Sequence, residues 1–233
     1  MNIDLRFGDC SELMKGIDSE SIDLIVTDPP YGKNYKSNRQ GIDRKQSIAG
    51  TEKIVREQYF TTINNDESFP FLWLTEAYRT LKQSSAIYIF AHWEKWEDVK
   101  FRVDDVGFQV KNMIVLNKSN HGMGDLYGDY APKHELLLYA TKGRHILTFP
   151  DKRMNNVWDV PVKFSGAHRL HPNEKPPSWY LPAILNSSKM GDIVLDPFMG
   201  SGTCGDVCKQ VDRNFIGMEN DEVHYQTAQT RLA

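Results

Sequence analysis

Ile22-Asp23-Leu24-Ile25-Val26-Thr27-Asp28-Pro29-Pro30-Tyr31 is the stretch on which the fold turns. Its apolar, β-branched run is nearly continuous, as in a strand buried on both faces of a parallel sheet. Two prolines then fix φ and remove two backbone donors. What remains is a pair of acceptors, the Asp28 carboxylate and the Pro29 carbonyl, on a stiff turn beside the Tyr31 ring. Ligands of open α/β sheets bind at the carboxyl ends of strands, where this tetrapeptide stands. Two acceptors can hold both hydrogens of an exocyclic amino group and aim its lone pair, while an aromatic ring stacks on the base that carries it. Read alone, the tetrapeptide is equally a strand-end turn, because Asp-Pro and Pro-Pro commonly punctuate loops.

Outward from this stretch, similar short runs predict strands at Ile3–Phe7, Ser85–Ala91, Gln109–Asn117, Glu135–Thr141, Asp192–Leu195 and Asn214–Met218, seven with Ile22–Thr27. Helical patterns lie between them at Glu67–Leu81, Trp93–Val106, Pro177–Ser188, Thr203–Gln210 and Asp221–Arg231. The alternation predicts an α/β fold with a mostly parallel sheet and helices on both faces. Two stretches, Gly32–Asn65 and Thr148–Asn173, carry no clear pattern; loops of that length in a compact domain are usually functional.

The second informative motif is Asp196-Pro197-Phe198-Met199-Gly200-Ser201-Gly202-Thr203, after a strand and opening a helix. Small residues let a ligand approach the backbone, and the helix N-terminus favours an anionic group. The spacing is neither the dinucleotide fingerprint nor a Walker loop. A tight turn without a ligand is the competing reading. Glu219, ending the next strand about 20 residues on, stands where a carboxylate can hold two ribose hydroxyls.

With 233 residues, 40% hydrophobic and 25% charged, the chain suits a single α/β domain spanning residues 1–233. No apolar run approaches the roughly 20 residues of a membrane span. The N-terminus lacks the features of a signal peptide, and three cysteines at odd spacing (Cys10, Cys204, Cys208) point to a reducing cytoplasm. Cys204 and Cys208 read as core packing, and the histidines form no ligand cluster, so no metal is expected. A net charge of −3 argues mildly against nucleic acid. Its distribution reverses that reading: Lys33–Arg56 carries seven basic and two acidic residues, and Lys142–Lys175 seven and three. These segments, within loops at about 32–65 and 142–175, are the expected positive face.

Together and in this order, the two motifs resemble the β group of DNA amino-methyltransferases, the N6-adenine and N4-cytosine enzymes. Phe7-Gly8-Asp9-Cys10 is similar to that family's adenine-contacting segment, and His171-Pro172-Asn173-Glu174-Lys175-Pro176 to its His-Pro-x-Gln-Lys-Pro motif. Asn214–Glu219, Tyr225 and Arg231-Leu232 resemble its closing pattern; Tyr88–His92, Lys118, Gly124–Leu126 and His134-Glu135 resemble its middle motifs. Glu174 departs from the usual glutamine and loses an amide donor.

The resemblance implies a class I (Rossmann-like) methyltransferase fold with circularly permuted motif order. It implies S-adenosylmethionine as cofactor, held by Asp9, Cys10, Asp28, Lys175, Asp196, Phe198, Gly200, Ser201, Gly202, Thr203 and Glu219. It implies a flipped base with Asp28, Pro29, Pro30 and Tyr31 as the catalytic set, and no enzyme nucleophile. Asp at the first motif position favours adenine N6, cytosine N4 being the alternative. Methylation of RNA or of a protein amide, and a non-catalytic DNA-binding relic, are the competing classes. With no separate target-recognition domain visible, Lys33, Lys36, Arg39, Arg44 and Lys45 are the expected DNA contacts. A homodimer is expected on the same ground, since a second subunit extends reach. Restriction–modification is the setting in which the family is found.

Overall fold

The computed structural model describes residues 1–30, 71–121, 128, 130–148, 153–161 and 174–233. The chain separates into two compact units, residues 1–29 with 70–233, and residues 30–69. Of the second, only Pro30 falls among the described residues.

The first unit is built on one sheet. Its strands are β1 (Ile3–Phe7), β2 (Ile22–Thr27), β3 (Leu81–Ala91), β4 (Gln109–Lys118), β5 (His134–Lys142), β6 (Val157–Val160), β7 (Ile193–Asp196) and β8 (Asn214–Glu219). They lie in the order β1-β8-β7-β2-β3-β5-β4-β6. Among the described residues only β5 runs against its neighbours, and every other pairing is parallel. In β2, Ile22 and every residue from Leu24 to Thr27 are buried, so both faces of the central sheet are covered. That is the pattern the uninterrupted apolar run predicts.

Among the described residues eight strands stand where seven were expected. The addition, β6, lies in the stretch Thr148–Asn173 that carried no pattern, and pairs parallel with β4. It is four residues long with alternating burial, exposed at Val157 and Asp159 and buried at Trp158 and Val160. Two periods of alternation are too few to stand out in a sequence. β3 also begins earlier than Ser85: Leu81 pairs with Ile22 and follows the helix with no connecting loop.

The helices are α1 (Cys10–Met14), α2 (Leu72–Thr80), α3 (Trp96–Asp105), α4 (Pro177–Ser187), α5 (Thr203–Gln210) and α6 (Glu222–Leu232). The helical pattern from Trp93 divides into a 3₁₀ turn, Trp93–Lys95, and α3. Residues 67–70 of the expected Glu67–Leu81 helix lie outside the described residues. The N-termini of α6 and α4 carry their signals. Asp221 accepts the His224 N–H at 3.0 Å to cap α6, and Pro176-Pro177 opens α4 at the one place where proline is favoured. The five-residue α1 was too short for a periodic pattern, although its cap Asp9, accepting from Glu12 N–H at 3.2 Å, marks it.

Tight packing around α5 explains two glycines. A Cβ on Gly205 would stand 2.7 Å from Phe215 Cε1 and 2.8 Å from Leu232 Cδ1. One on Gly217 would collide with Met199 Sδ and the Phe215 ring. α5 thereby lies against β8 and α6 more closely than any side chain permits. Cys204 and Cys208 are buried on this helix, as core residues. No helix among the described residues is long and apolar enough to cross a membrane.

Candidate active site

Four acidic residues stand at or just past the carboxyl ends of four adjacent parallel strands. Asp9 follows β1, Glu219 ends β8, Asp196 ends β7 and Asp28 follows β2. Because the strands run the same way, the four share one edge of the sheet. At about 4.8 Å per strand, the row from β1 to β2 spans roughly 14 Å. An elongated ligand with several polar groups fits such a row.

β2 and β7 are joined across this edge. Leu24 and Ile25 pair with Val194 and Leu195, and the Thr27 hydroxyl donates to Asp196 Oδ1 at 2.7 Å. Asp196 Oδ1 also accepts the Phe198 N–H at 3.1 Å, which shapes the turn leaving β7. Burial pushes the Asp196 carboxyl up from 3.8 to about 7, against the two hydrogen bonds that favour its charged form. The sheet thus sets the Asp28 turn beside the glycine turn. Asp28 is half-buried and Pro29 buried; Pro30 opens the other unit, and Tyr31 lies outside the described residues.

The glycine turn has two residues in the left-handed region, Gly200 at φ 53° and Gly202 at φ 83°. Gly202 caps α5 and is hemmed in: a Cβ there would sit 3.1 Å from Ala228 Cβ. At Gly200 a Cβ would meet nothing within 4 Å. Gly202 therefore serves packing, and Gly200 leaves open space beside the backbone. The Gly200 N–H donates to Glu219 Oε2 at 2.9 Å, while Glu219 Oε1 accepts from Asn220 and Asp221 N–H at 3.0 and 2.8 Å. The Phe198 ring meets Trp73 edge-on at a centroid distance of 5.2 Å.

Lys175 reaches this edge from the segment before α4. Its Nζ lies 3.2 Å from Asp28 Oδ2, and 5.6 and 6.0 Å from the centroids of Phe90 and Trp179. The two side chains of the ion pair are only 15% and 21% exposed, so solvent screens it less than a surface pair. Its neighbour Glu174 turns into the protein. The Glu174 carboxylate accepts from the Thr203 hydroxyl at 3.0 Å and pairs with the Arg231 guanidinium of α6. Arg231 Nη1 also donates to Thr203 Oγ1 at 2.7 Å and to Ser201 Oγ at 3.3 Å.

Of the expected site residues, Asp28, Pro29, Lys175, Asp196, Phe198, Gly200, Ser201, Gly202, Thr203 and Glu219 are brought to this one region. Asp9 stands at the far end of the row, exposed, as the cap of α1. Cys10 is buried, and burial with the nearby Asp9 charge raises its thiol to about 12, so it stays neutral. Lys33, Lys36, Arg39, Arg44 and Lys45 lie outside the described residues, as do His171, Pro172 and Asn173. One basic residue of the second segment needs correction. Lys142 is the buried last residue of β5, and its ammonium donates to the carbonyls of Tyr78 and Leu81 at 2.8 Å each. It satisfies backbone acceptors and is not a loop cation. Glu174 and Arg231 are functional candidates that motif reading left without roles. The one available signal was that a glutamate placed against an apolar helix requires a cationic partner. Among the described residues no three or more His, Cys, Asp or Glu side chains are grouped to hold a metal.

Residues 22–230 match the family model described as DNA methylase, of the N6/N4 type. The chain is 30% identical to the Type II methyltransferase M.HinfI of Haemophilus influenzae, over 97% of this chain and 67% of that protein. It is 32% identical to the Type II methyltransferase M.HpaI of Haemophilus parainfluenzae, over 94% of this chain and 70% of that protein. Among solved structures, a complex of M1.HpyAVI with SAM superposes with a TM-score of 0.73 at 24% identity, covering 99% of this chain and 100% of that one. The cytosine-N4-specific PvuII DNA methyltransferase gives 0.74 at 16% identity, covering 100% and 87%.

Proposed function

The chain belongs to the N6/N4 DNA methylase family and has the class I methyltransferase fold, and from that premise we propose that it methylates N6 of adenine in DNA, with S-adenosylmethionine as donor. The observation that carries the reading is the junction of β2 with β7, where the 2.7 Å hydrogen bond from Thr27 to Asp196 ties the strand leading into Asp28-Pro29 to the strand leading into the glycine turn.

The residues present fit the cofactor. A sulfonium amino acid joined to a nucleoside is elongated and polar at both ends, and the acidic row offers acceptors along roughly 14 Å. Asp9 at one end suits an adenine amino group, Glu219 the ribose hydroxyls, and the space at Gly200 the path of the chain between them. Cys10 contributes through its backbone, because its thiol is neutral and buried. When bound, the cofactor supplies an electrophilic methyl group on a positively charged sulfur.

The protein's part is to hold and charge the amine. The Asp28 carboxylate and the Pro29 carbonyl accept the two amino hydrogens and orient the nitrogen lone pair. Tyr31 stacks on the face of a base turned out of the helix, which costs a few kcal/mol in unstacking. The fixed negative charge of Asp28 then stabilises positive charge as it grows on nitrogen, a preorganised electrostatic effect. Since the product amine sheds its proton afterwards, no strong general base is required. The ion pair with Lys175 holds the Asp28 side chain in place beforehand. Lys33, Lys36, Arg39, Arg44 and Lys45 bind DNA phosphates, which concentrates the enzyme on its substrate without specifying sequence.

Aspartate at position 28 favours adenine over cytosine. The N4-cytosine reading is kept by the fold, which the PvuII enzyme shares. Transfer from labelled S-adenosylmethionine to unmethylated duplex DNA of mixed sequence, followed by hydrolysis and identification of the base, tests the proposal. N6-methyladenine supports it, N4-methylcytosine refutes the choice of base, and cofactor binding without any transfer to DNA refutes the substrate.

A further inference from the structure

The Glu174 side chain is only 2% exposed, and its partner Arg231, fifty-seven residues away, is 14% exposed. A carboxylate taken so completely out of water is costly, and its pairing with a cation rarely repays the cost beyond what well-packed apolar side chains would give. Stability alone therefore gives no reason for a charged pair here. Its neighbours do. The guanidinium can only donate, so the oxygens of Thr203 and Ser201 both accept from it, at 2.7 and 3.3 Å. Thr203 has one proton, and that goes to Glu174 at 3.0 Å. The Ser201 oxygen, fixed as an acceptor toward Arg231, has its own proton turned away from the guanidinium. The glycine turn on which it lies has open space at Gly200.

We propose that Arg231 and Glu174 are a positioning pair for the cofactor site: they orient the Ser201 hydroxyl as a donor to a carboxylate, the amino-acid end of S-adenosylmethionine. The inference rests on the cofactor reading above and adds to it the residues that prepare the turn. The same pair has a second output. Glu174 and Lys175 are consecutive, and in an extended segment consecutive side chains point to opposite sides. Anchoring Glu174 on α6 therefore sets the reach of Lys175, whose ammonium lies 3.2 Å from Asp28. One buried contact thus registers the cofactor turn and the catalytic carboxylate against each other.

Removing one member alone leaves the other charge buried, and such a variant can fail to fold. The test therefore uses the double variant Arg231→Met with Glu174→Met, which keeps bulk and removes both charges. Binding of S-adenosylhomocysteine and of 5′-methylthioadenosine, which lacks the amino-acid portion, is measured by calorimetry on the full chain, alongside thermal melting. The expected result is a cooperative melt, S-adenosylhomocysteine affinity reduced at least tenfold, and methylthioadenosine affinity within twofold of wild type. Ser201→Ala should give a similar selective loss, and adding it to the double variant should cost little more, as expected for groups that act as a unit. S-adenosylhomocysteine affinity unchanged in the double variant, or equal losses for both ligands, would overturn the inference while the cofactor reading stood. A wild-type protein that binds neither ligand would overturn both.

Discussion

The Asp196 carboxyl offers a stability measurement whose sign and size follow from its surroundings. It is about 99% buried, accepts from Thr27 and from the Phe198 N–H, and titrates near 7 where an ordinary aspartate titrates near 3.8. Burial is the largest cause, with the charges of Asp28 and Glu219 adding to it. Since the folded protein holds this proton more tightly than the unfolded chain, its contribution to stability is full below about 4 and is lost as pH rises through about 7. At about 1.4 kcal/mol per pH unit, the interval from pH 5 to 7 contains roughly 3 kcal/mol. Asp196→Asn keeps Oδ1 as an acceptor for both donors and abolishes the titration. The expected outcome is a variant that gains on the wild type by roughly 3 kcal/mol more at pH 8 than at pH 5, read from urea unfolding at the two values. A difference between variant and wild type that is the same at both pH values would refute the argument, because burial would then not be acting on a charge. Such a gain on removing a site carboxylate is what a stability–function trade-off looks like from the stability side.

Three further outcomes follow from the same structure. Asp28→Ala should reduce methyl transfer by at least a thousandfold, about 4 kcal/mol, while S-adenosylhomocysteine binding stays within a few-fold; near-normal turnover would remove Asp28 from the catalytic set. Reversing the charges of Arg39, Arg44 and Lys45 should weaken DNA binding and flatten its dependence on salt, and an unaltered salt slope would take that segment off the DNA. Gly205→Ala should destabilise the protein by about 1–3 kcal/mol, because its Cβ would stand 2.7 Å from Phe215 Cε1; an unchanged urea midpoint would mean that α5 and β8 can separate without cost.

What could be read from the sequence was whatever is encoded locally. Leu24-Ile25-Val26 and Val194-Leu195 are apolar on consecutive residues because both faces of the sheet are covered, and that pattern needs no knowledge of the partners. Asp28, Asp196 and Glu219 were recognisable because each closes such a run, and strand ends in parallel sheets are where ligands are met. β6 escaped because an edge strand of four residues has one buried face and too few alternations to show it. The contacts that organise the site escaped for a different reason. Lys175 meets Asp28 across nearly 150 residues, and Arg231 meets Glu174 across 57, so no window on the sequence contains both members. Charge counting overstated Lys142 because this lysine, at the end of a strand, turns back onto the carbonyls of Tyr78 and Leu81 and pairs with Glu20 instead of standing out from a loop. The departure at position 174, a glutamate in place of glutamine, acquires its meaning only beside Arg231.

The two rims of the sheet bear on how copies of this protein can associate. Among the described residues the outer strands are β1 and β6, of five and four residues. β1 carries Asp4 and Arg6, paired with each other at 2.8 Å, and β6 turns Asp159 outward. Short, charged borders are poor templates for adding a further strand. Self-association by extending the sheet from one molecule into the next is thereby discouraged at both ends. Among the described residues, the surfaces left for a second copy to meet are those of helices and loops rather than the rims of the sheet.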